Sequence, residues 1–87
     1  MASFYILYSP ILDRYYVGHT TEELTERLRK HLSGHDGWTA RAKDWRIVHH
    51  EAYNSKSEAY RRELEVKSWK RRSRIEELVA ARQRIPP

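Results

Sequence analysis

Over the first fifty residues, short apolar blocks are broken by polar punctuation; after that the spacing becomes helical. Phe4-Tyr5-Ile6-Leu7-Tyr8 is a short run rich in aromatic and β-branched residues, closed by Ser9-Pro10, and predicts a strand. After the polar pair Asp13-Arg14, Tyr15-Tyr16-Val17 predicts a second strand that ends at Gly18. The gap between the two is short enough for an antiparallel hairpin. Trp45 to Tyr53 predicts a third strand.

Three helices are expected, each opened by a hydroxyl residue with a glutamate three places on. Thr20-x-x-Glu23, Ser55-x-x-Glu58 and Ser73-x-x-Glu76 all match the capping box, in which hydroxyl and carboxylate satisfy each other's free amides. Leu24, Leu28 and Leu32 give the first helix one apolar stripe, and Ser33-Gly34 is its expected stop. The second helix is read with Ala59, Tyr60 and Leu64 inward. The third has Ile75, Leu78 and Val79 on one side and ends before Pro86-Pro87. The stretch from Gly34 to Lys43 reads as a loop. The expectation is a single α+β domain over residues 1–87, ordered β-β-α-β-α-α, with a small sheet that its helices cover.

Size and composition narrow this further. Eighty-seven residues support one core and no second lobe. The longest apolar run, Phe4 to Tyr8, is far short of the ~20 residues a membrane span needs, and no secretory leader pattern is present. The chain has no cysteine, which excludes a disulfide framework, thiol catalysis and cysteine-ligated zinc and fits a reducing cytoplasm. Net charge is +5, and residues 1–54 balance at seven basic and seven acidic side chains. The excess lies entirely in residues 55–87 and is densest over Lys67-Ser68-Trp69-Lys70-Arg71-Arg72-Ser73-Arg74. A basic block around an aromatic suits a phosphate backbone. It equally suits a solvated helix end.

Several side chains exceed what a core alone requires. Tyr5 and Tyr16 stand on adjacent strands, and a buried tyrosine hydroxyl needs a partner; they are either amphipathic core residues or a pair of reactive phenols. Arg27 and His31, one helical turn apart, share a face beside the leucine stripe. That face can hold a phosphate and a tyrosine hydroxyl, or simply be solvated. Glu63 lies beside the inward face of the second helix, where a carboxylate should meet a cation; the alternative is an exposed pair with Lys67. His31-x-x-x-His35 has a metal-like spacing, but Gly34 interrupts it and no third ligand is near. His49 and His50 point to opposite faces of a strand.

Taken in order, Phe4-Tyr5-Ile6-Leu7, Tyr16-Val17-Gly18-His19-Thr20, Arg27-Leu28-x-x-His31-x-x-Gly34, Trp45-Arg46-Ile47-Val48 with Glu51, and Ser57-Glu58-Ala59 with Arg62-Glu63 and Lys67-x-Trp69 resemble the GIY-YIG endonuclease family. The likeness covers roughly residues 3–79 and is greatest to small standalone members. It implies a three-stranded antiparallel sheet flanked by helices, and cleavage of nucleic-acid phosphodiesters with a divalent cation, Mg²⁺ or Mn²⁺. By the same resemblance Tyr5, Tyr16, Arg27 and His31 are the catalytic set and Glu63 the metal carboxylate. The chain departs from the family pattern at three places. Ser3 replaces the first motif's glycine, Ile75 stands where many larger members have asparagine, and His19 stands where some have lysine. The segment between Gly18 and Arg27 is also one residue longer than in some relatives.

The expected activity is therefore metal-dependent hydrolysis of DNA, with RNA not excluded, structure-selective in repair or recombination. The expected location is cytoplasmic, with no membrane partner. Between the phenols, Tyr5 is the marginal choice to take the water's proton, with Tyr16 and His31 holding the hydrogen-bond network. His19, Lys67, Lys70, Arg71, Arg72 and Arg74 are the expected nucleic-acid contacts. So small a surface gives little sequence readout without a homodimer or protein partner. The alternative is a non-catalytic module that binds nucleic acid through the basic C-terminal helices.

Overall fold

The apolar run at the N-terminus becomes the centre of a sheet. The computed structural model describes residues 1–33 and 37–83. Its elements are β1 (Ala2–Ser9), β2 (Arg14–Thr20), α1 (Leu24–Leu32), a 3₁₀ turn (Gly37–Arg41), β3 (Arg46–Tyr53), α2 (Lys56–Ser68) and α3 (Arg72–Gln83). The sheet order is β2-β1-β3, and both pairings are antiparallel. The sequence-derived order β-β-α-β-α-α and the α+β class hold.

Because β1 is central and both its faces are covered, it reads as continuous apolar sequence rather than alternation. Phe4 and Ile6 face α2 and α3, in a core with Val17, Val66 and Val79. Tyr5 and Leu7 face the other way, with Ala42 and Trp45, where Leu24, Leu28 and Leu32 of α1 pack. The predicted leucine stripe is thus the face that α1 presents to the sheet. A bulge at Val48 shifts the register so that Ile6 meets His49 while Leu7 meets Ile47.

The hairpin between β1 and β2 turns through Asp13, whose φ of 52° lies in the left-handed region. Asp44 braces it by accepting from Ser9 Oγ (2.6 Å) and the Ile11 amide (2.8 Å). Arg72, at the start of α3, donates to the Asp13 carbonyl (2.8 Å) and its Oδ1 (2.5 Å), tying the basic segment to this turn.

Three helix expectations need correction. Of the three capping boxes only Ser55 caps, its Oγ accepting from the Glu58 amide at 3.3 Å. Thr20 cannot, because it is still in β2, paired with Ser3; its hydroxyl accepts from the Glu22 amide instead, and α1 begins at Leu24 with no side-chain cap. Ser73 falls inside α3, which starts one residue earlier where Arg72 is held by Asp13 and Glu76. In α2 the inward residues are Ala59, Glu63 and Val66, while Tyr60 and Leu64 are 46% and 47% exposed. Ile75, Leu78 and Val79 do face the core. Gly34, His35 and Pro86-Pro87 lie outside the described residues. Among the described residues no helix is long and apolar enough to cross a membrane.

Candidate active site

The site begins with a tyrosine that a glycine lets through. Tyr5 on β1 pairs with Gly18 on β2, and a Cβ at Gly18 would stand 2.7 Å from the Tyr5 hydroxyl and 3.1 Å from the Tyr16 ring. Without that Cβ the Tyr5 ring lies across the strand toward α1. There its hydroxyl accepts from Arg27 Nε (3.2 Å) and meets His31 Nε2 (2.8 Å). The one-turn spacing of Arg27 and His31 is what lets both reach one oxygen.

Behind this lies a second layer. His31 is 1% exposed, and its Nδ1 meets Thr39 Oγ1 at 2.8 Å, while the Thr39 carbonyl accepts from Trp45 Nε1 at 2.8 Å. Since Arg27 already donates to the Tyr5 oxygen, the consistent arrangement has the Tyr5 O–H donating to Nε2 and the Nδ1–H donating to Thr39. The Tyr16 ring packs on His31 with centroids 4.9 Å apart. Burial pushes the Tyr5 phenol up to about 12, against the hydrogen bond and charge of Arg27. Neither Thr39 nor the Trp45 indole was among the sequence candidates. Both act through a turn with no local pattern to announce it.

Glu63 forms the other half of the site. It is 8% exposed on the inward face of α2, and its carboxylate is held from both sides. Oε1 meets His19 Nδ1 and Oε2 accepts from Lys67 Nζ, each at 2.7 Å. The expected pair with Lys67 therefore exists, but on a buried carboxylate rather than an exposed one. His19 shares a cleft of about 240 Å³ with Thr20, Thr21, Glu22, Arg27 and Lys56. Arg27 of the tyrosine network and His19, the partner of Glu63, thus border one cleft.

The basic block divides into engaged and unengaged side chains. Arg72 is bound to Asp13 and Glu76, and Arg74 stacks over the Trp69 ring at 4.3 Å. Lys67 is bound to Glu63. Lys70 and Arg71 are exposed and have no side-chain partner among the described residues. With Arg14 they rim a cavity of about 370 Å³ floored by Tyr15, Val17, Val66 and Ile75. Ile75 is thus a wall of that cavity and packs on the core.

Order and geometry together agree with one protein family: the chain matches the GIY-YIG catalytic domain over residues 1–76. The chain belongs to the GIY-YIG family. GIY-YIG domains are nucleases, and their substrates are nucleic acids. Among solved structures the chain is similar to the solution NMR structure of a UPF0213 protein from Bacillus halodurans. The two are 36% identical with a TM-score of 0.58, over 93% of this chain and 85% of that one. No curated protein matches the chain.

Proposed function

We propose that this GIY-YIG domain is an endonuclease that hydrolyses phosphodiester bonds of DNA with a divalent cation, Mg²⁺ or Mn²⁺, bound at Glu63. The observation that carries this reading is the cleft in which Arg27, bonded to Tyr5, meets His19, bonded to Glu63. Hydrolysis needs a phosphate clamp, a proton acceptor for water and neutralisation of the leaving oxygen; Arg27 and His19 line this opening, with Tyr5 and Glu63 bonded directly behind them.

The donor set can be tested against the metal. Among the described residues no group of three or more His, Asp or Glu side chains could hold an ion. The described residues thus offer no chelating set of the kind zinc takes, whereas Mg²⁺ keeps several waters and is held by one or two carboxylates. Glu63 fits that requirement, each of its oxygens retaining one acceptor site beyond the bonds to His19 and Lys67. A bound Mg²⁺ supplies charge neutralisation at the leaving oxygen.

In this reading the chain's own groups do the rest. Arg27 holds a non-bridging phosphate oxygen, where a planar guanidinium suits the geometry. Tyr5, with its hydroxyl buried between Arg27 and His31, is poorly placed to meet water directly, so Tyr16, which is half-buried, is the phenol that faces it. Tyr5 then fixes Arg27, with His31 and Thr39 holding the Tyr5 hydroxyl in place behind it. Release of Lys67 from Glu63 to a substrate phosphate frees the carboxylate.

The experiment is nicking of supercoiled plasmid with Mg²⁺ or Mn²⁺, beside Glu63→Gln prepared identically and a parallel RNA substrate. Nicking by the parent alone supports the reading. Equal nicking by both overturns the assignment of Glu63. Binding without nicking by either favours the non-catalytic module, in which Lys67 permanently neutralises Glu63.

A further inference from the structure

One side of the Glu63 site carries an aromatic ring that neither the core nor the proposed hydrolysis uses. Helical spacing assigns Tyr60 to the interior, yet it stands 46% exposed on α2. Lys56, Tyr60, Glu63 and Lys67 follow at spacings of four, three and four, so they form one stripe along the helix. The Tyr60 ring rests against His19, with centroids 5.0 Å apart and planes inclined at 49°. His19 is held by Glu63 at 2.7 Å, so the ring is fixed one side chain away from the carboxylate.

Beside the ring opens a cavity of about 460 Å³ lined by His19, Lys56, Ser57 and Tyr60. Lys56, in the first turn of α2, has no ion-pair partner among the described residues. It also borders the cleft shared by His19 and Arg27. An open slot with an aromatic wall, a cation at its mouth and a cleft bordered by Arg27 next door is complementary to a nucleotide: base in the slot, phosphate at the cations. A base still stacked in a duplex cannot enter it.

We propose that Tyr60 is a stacking platform for an unpaired nucleobase adjoining the bond to be cut. The domain is thereby directed to nucleic acid with a displaced or single-stranded nucleotide, such as a flap, a mismatch or a branch. This rests on the nuclease reading of the Glu63 site and deepens it by naming the feature selected. Stacking of a base on an aromatic side chain suits such selection because it accepts any base while requiring that the base be out of the helix. His19 backs the ring, and Lys56 and Arg27 hold the flanking phosphates.

The test is fluorescence anisotropy in EDTA, where metal-dependent cutting is absent, with a fluorescein-labelled duplex and the same duplex bearing a single-stranded arm. The wild type is expected to bind the armed duplex more tightly. Tyr60→Ala should lose about five-fold or more of that preference, since one stacked base is worth roughly that much or more in affinity. Tyr60→Trp, which keeps a stacking face, should retain it. Because Tyr60 is exposed the alanine variant should fold, and its denaturation midpoint checks this; if it does not fold, Tyr60→Leu, which keeps bulk without a ring, decides in its place.

An unchanged preference in the variant lacking the ring overturns the proposal, as does equal weakening on both probes or no preference in the wild type. The two readings fail separately. A wild type that binds but never cuts with metal overturns the nuclease reading, while the anisotropy comparison still decides the platform.

Discussion

The Tyr5 hydroxyl lies 2.7 Å from the point where a side chain at Gly18 would begin, and Tyr5 is 1% exposed. The glycine is therefore a requirement of the site and not of the strand's own conformation. Gly18→Ala must push a buried ring that has no room to yield, and the ring end it pushes bonds Arg27 and His31. The expected outcome is a fold weakened by about 1–3 kcal/mol from overpacking. Cleavage should fall by at least about ten-fold, as expected when a small displacement spoils a positioned group. Urea denaturation and nicking rates measured on the same preparation check both; wild-type cleavage in this variant would mean that Tyr5 is only a core residue.

Arg27 should be the most costly single loss after Glu63. It holds Tyr5 through Nε and lines the cleft with His19. Arg27→Ala removes the phosphate clamp, an effect of about 10²–10³ in rate by analogy with other transition-state donors. Arg27→Lys should rescue little, because an ammonium offers no fork to bond phenol and phosphate together. A lysine variant that cuts like the wild type would show that only charge is needed at that position.

How far these features are legible in the sequence depends on how local their causes are. The elements in their order along the chain, the leucine stripe of α1 and the shared face of Arg27 and His31 follow from spacing within single elements, and the structure has them as expected. Tyr60 and Leu64 are misplaced by their spacing because α2 carries little apolar contrast: its inward stripe, Ala59, Glu63 and Val66, is centred on the charged Glu63, which spacing puts only beside that face. Thr20 matches a capping box yet belongs to a strand, a tertiary constraint that the four-residue pattern cannot express. The His19–Glu63 bond spans 44 residues and the Ser9–Asp44 brace 35, and nothing local marks either. Pairwise bonds of that kind arise only once the sheet has set its register.

Acid should weaken the attachment of α2 to β3. Burial alone would raise the Glu51 carboxyl, but Arg62, Tyr53 and His49 bond it and hold it down to about 2. A carboxyl whose folded pKa lies below its unfolded value of ~4.3 stabilises the fold above that value. That stabilisation is lost as pH falls from about 4.3 through 2. Denaturation midpoints followed from about pH 5 to about pH 2 should therefore drop more steeply for wild type than for Glu51→Gln. Parallel curves would mean that Glu51 keeps its ordinary acidity and that the bonds to Arg62 contribute nothing in solution.

Finally, the basic block should act through its unengaged members. Arg72 serves the Asp13 turn and Glu76, and Arg74 covers Trp69, so their removal should disturb α3 as much as any ligand. Lys70 and Arg71 are different. Both are exposed at the rim of the cavity beneath the turn between α2 and α3, with Lys70 in the left-handed region at φ 53°. Replacing both by glutamine should weaken duplex binding similarly across sequences, because groups that bond only phosphate carry no base information. It should also flatten the plot of log affinity against log salt by about 2, close to one for each phosphate no longer neutralised. Affinity measured over a series of salt concentrations decides it; a slope equal to that of the wild type would place the nucleic acid on another face of the domain.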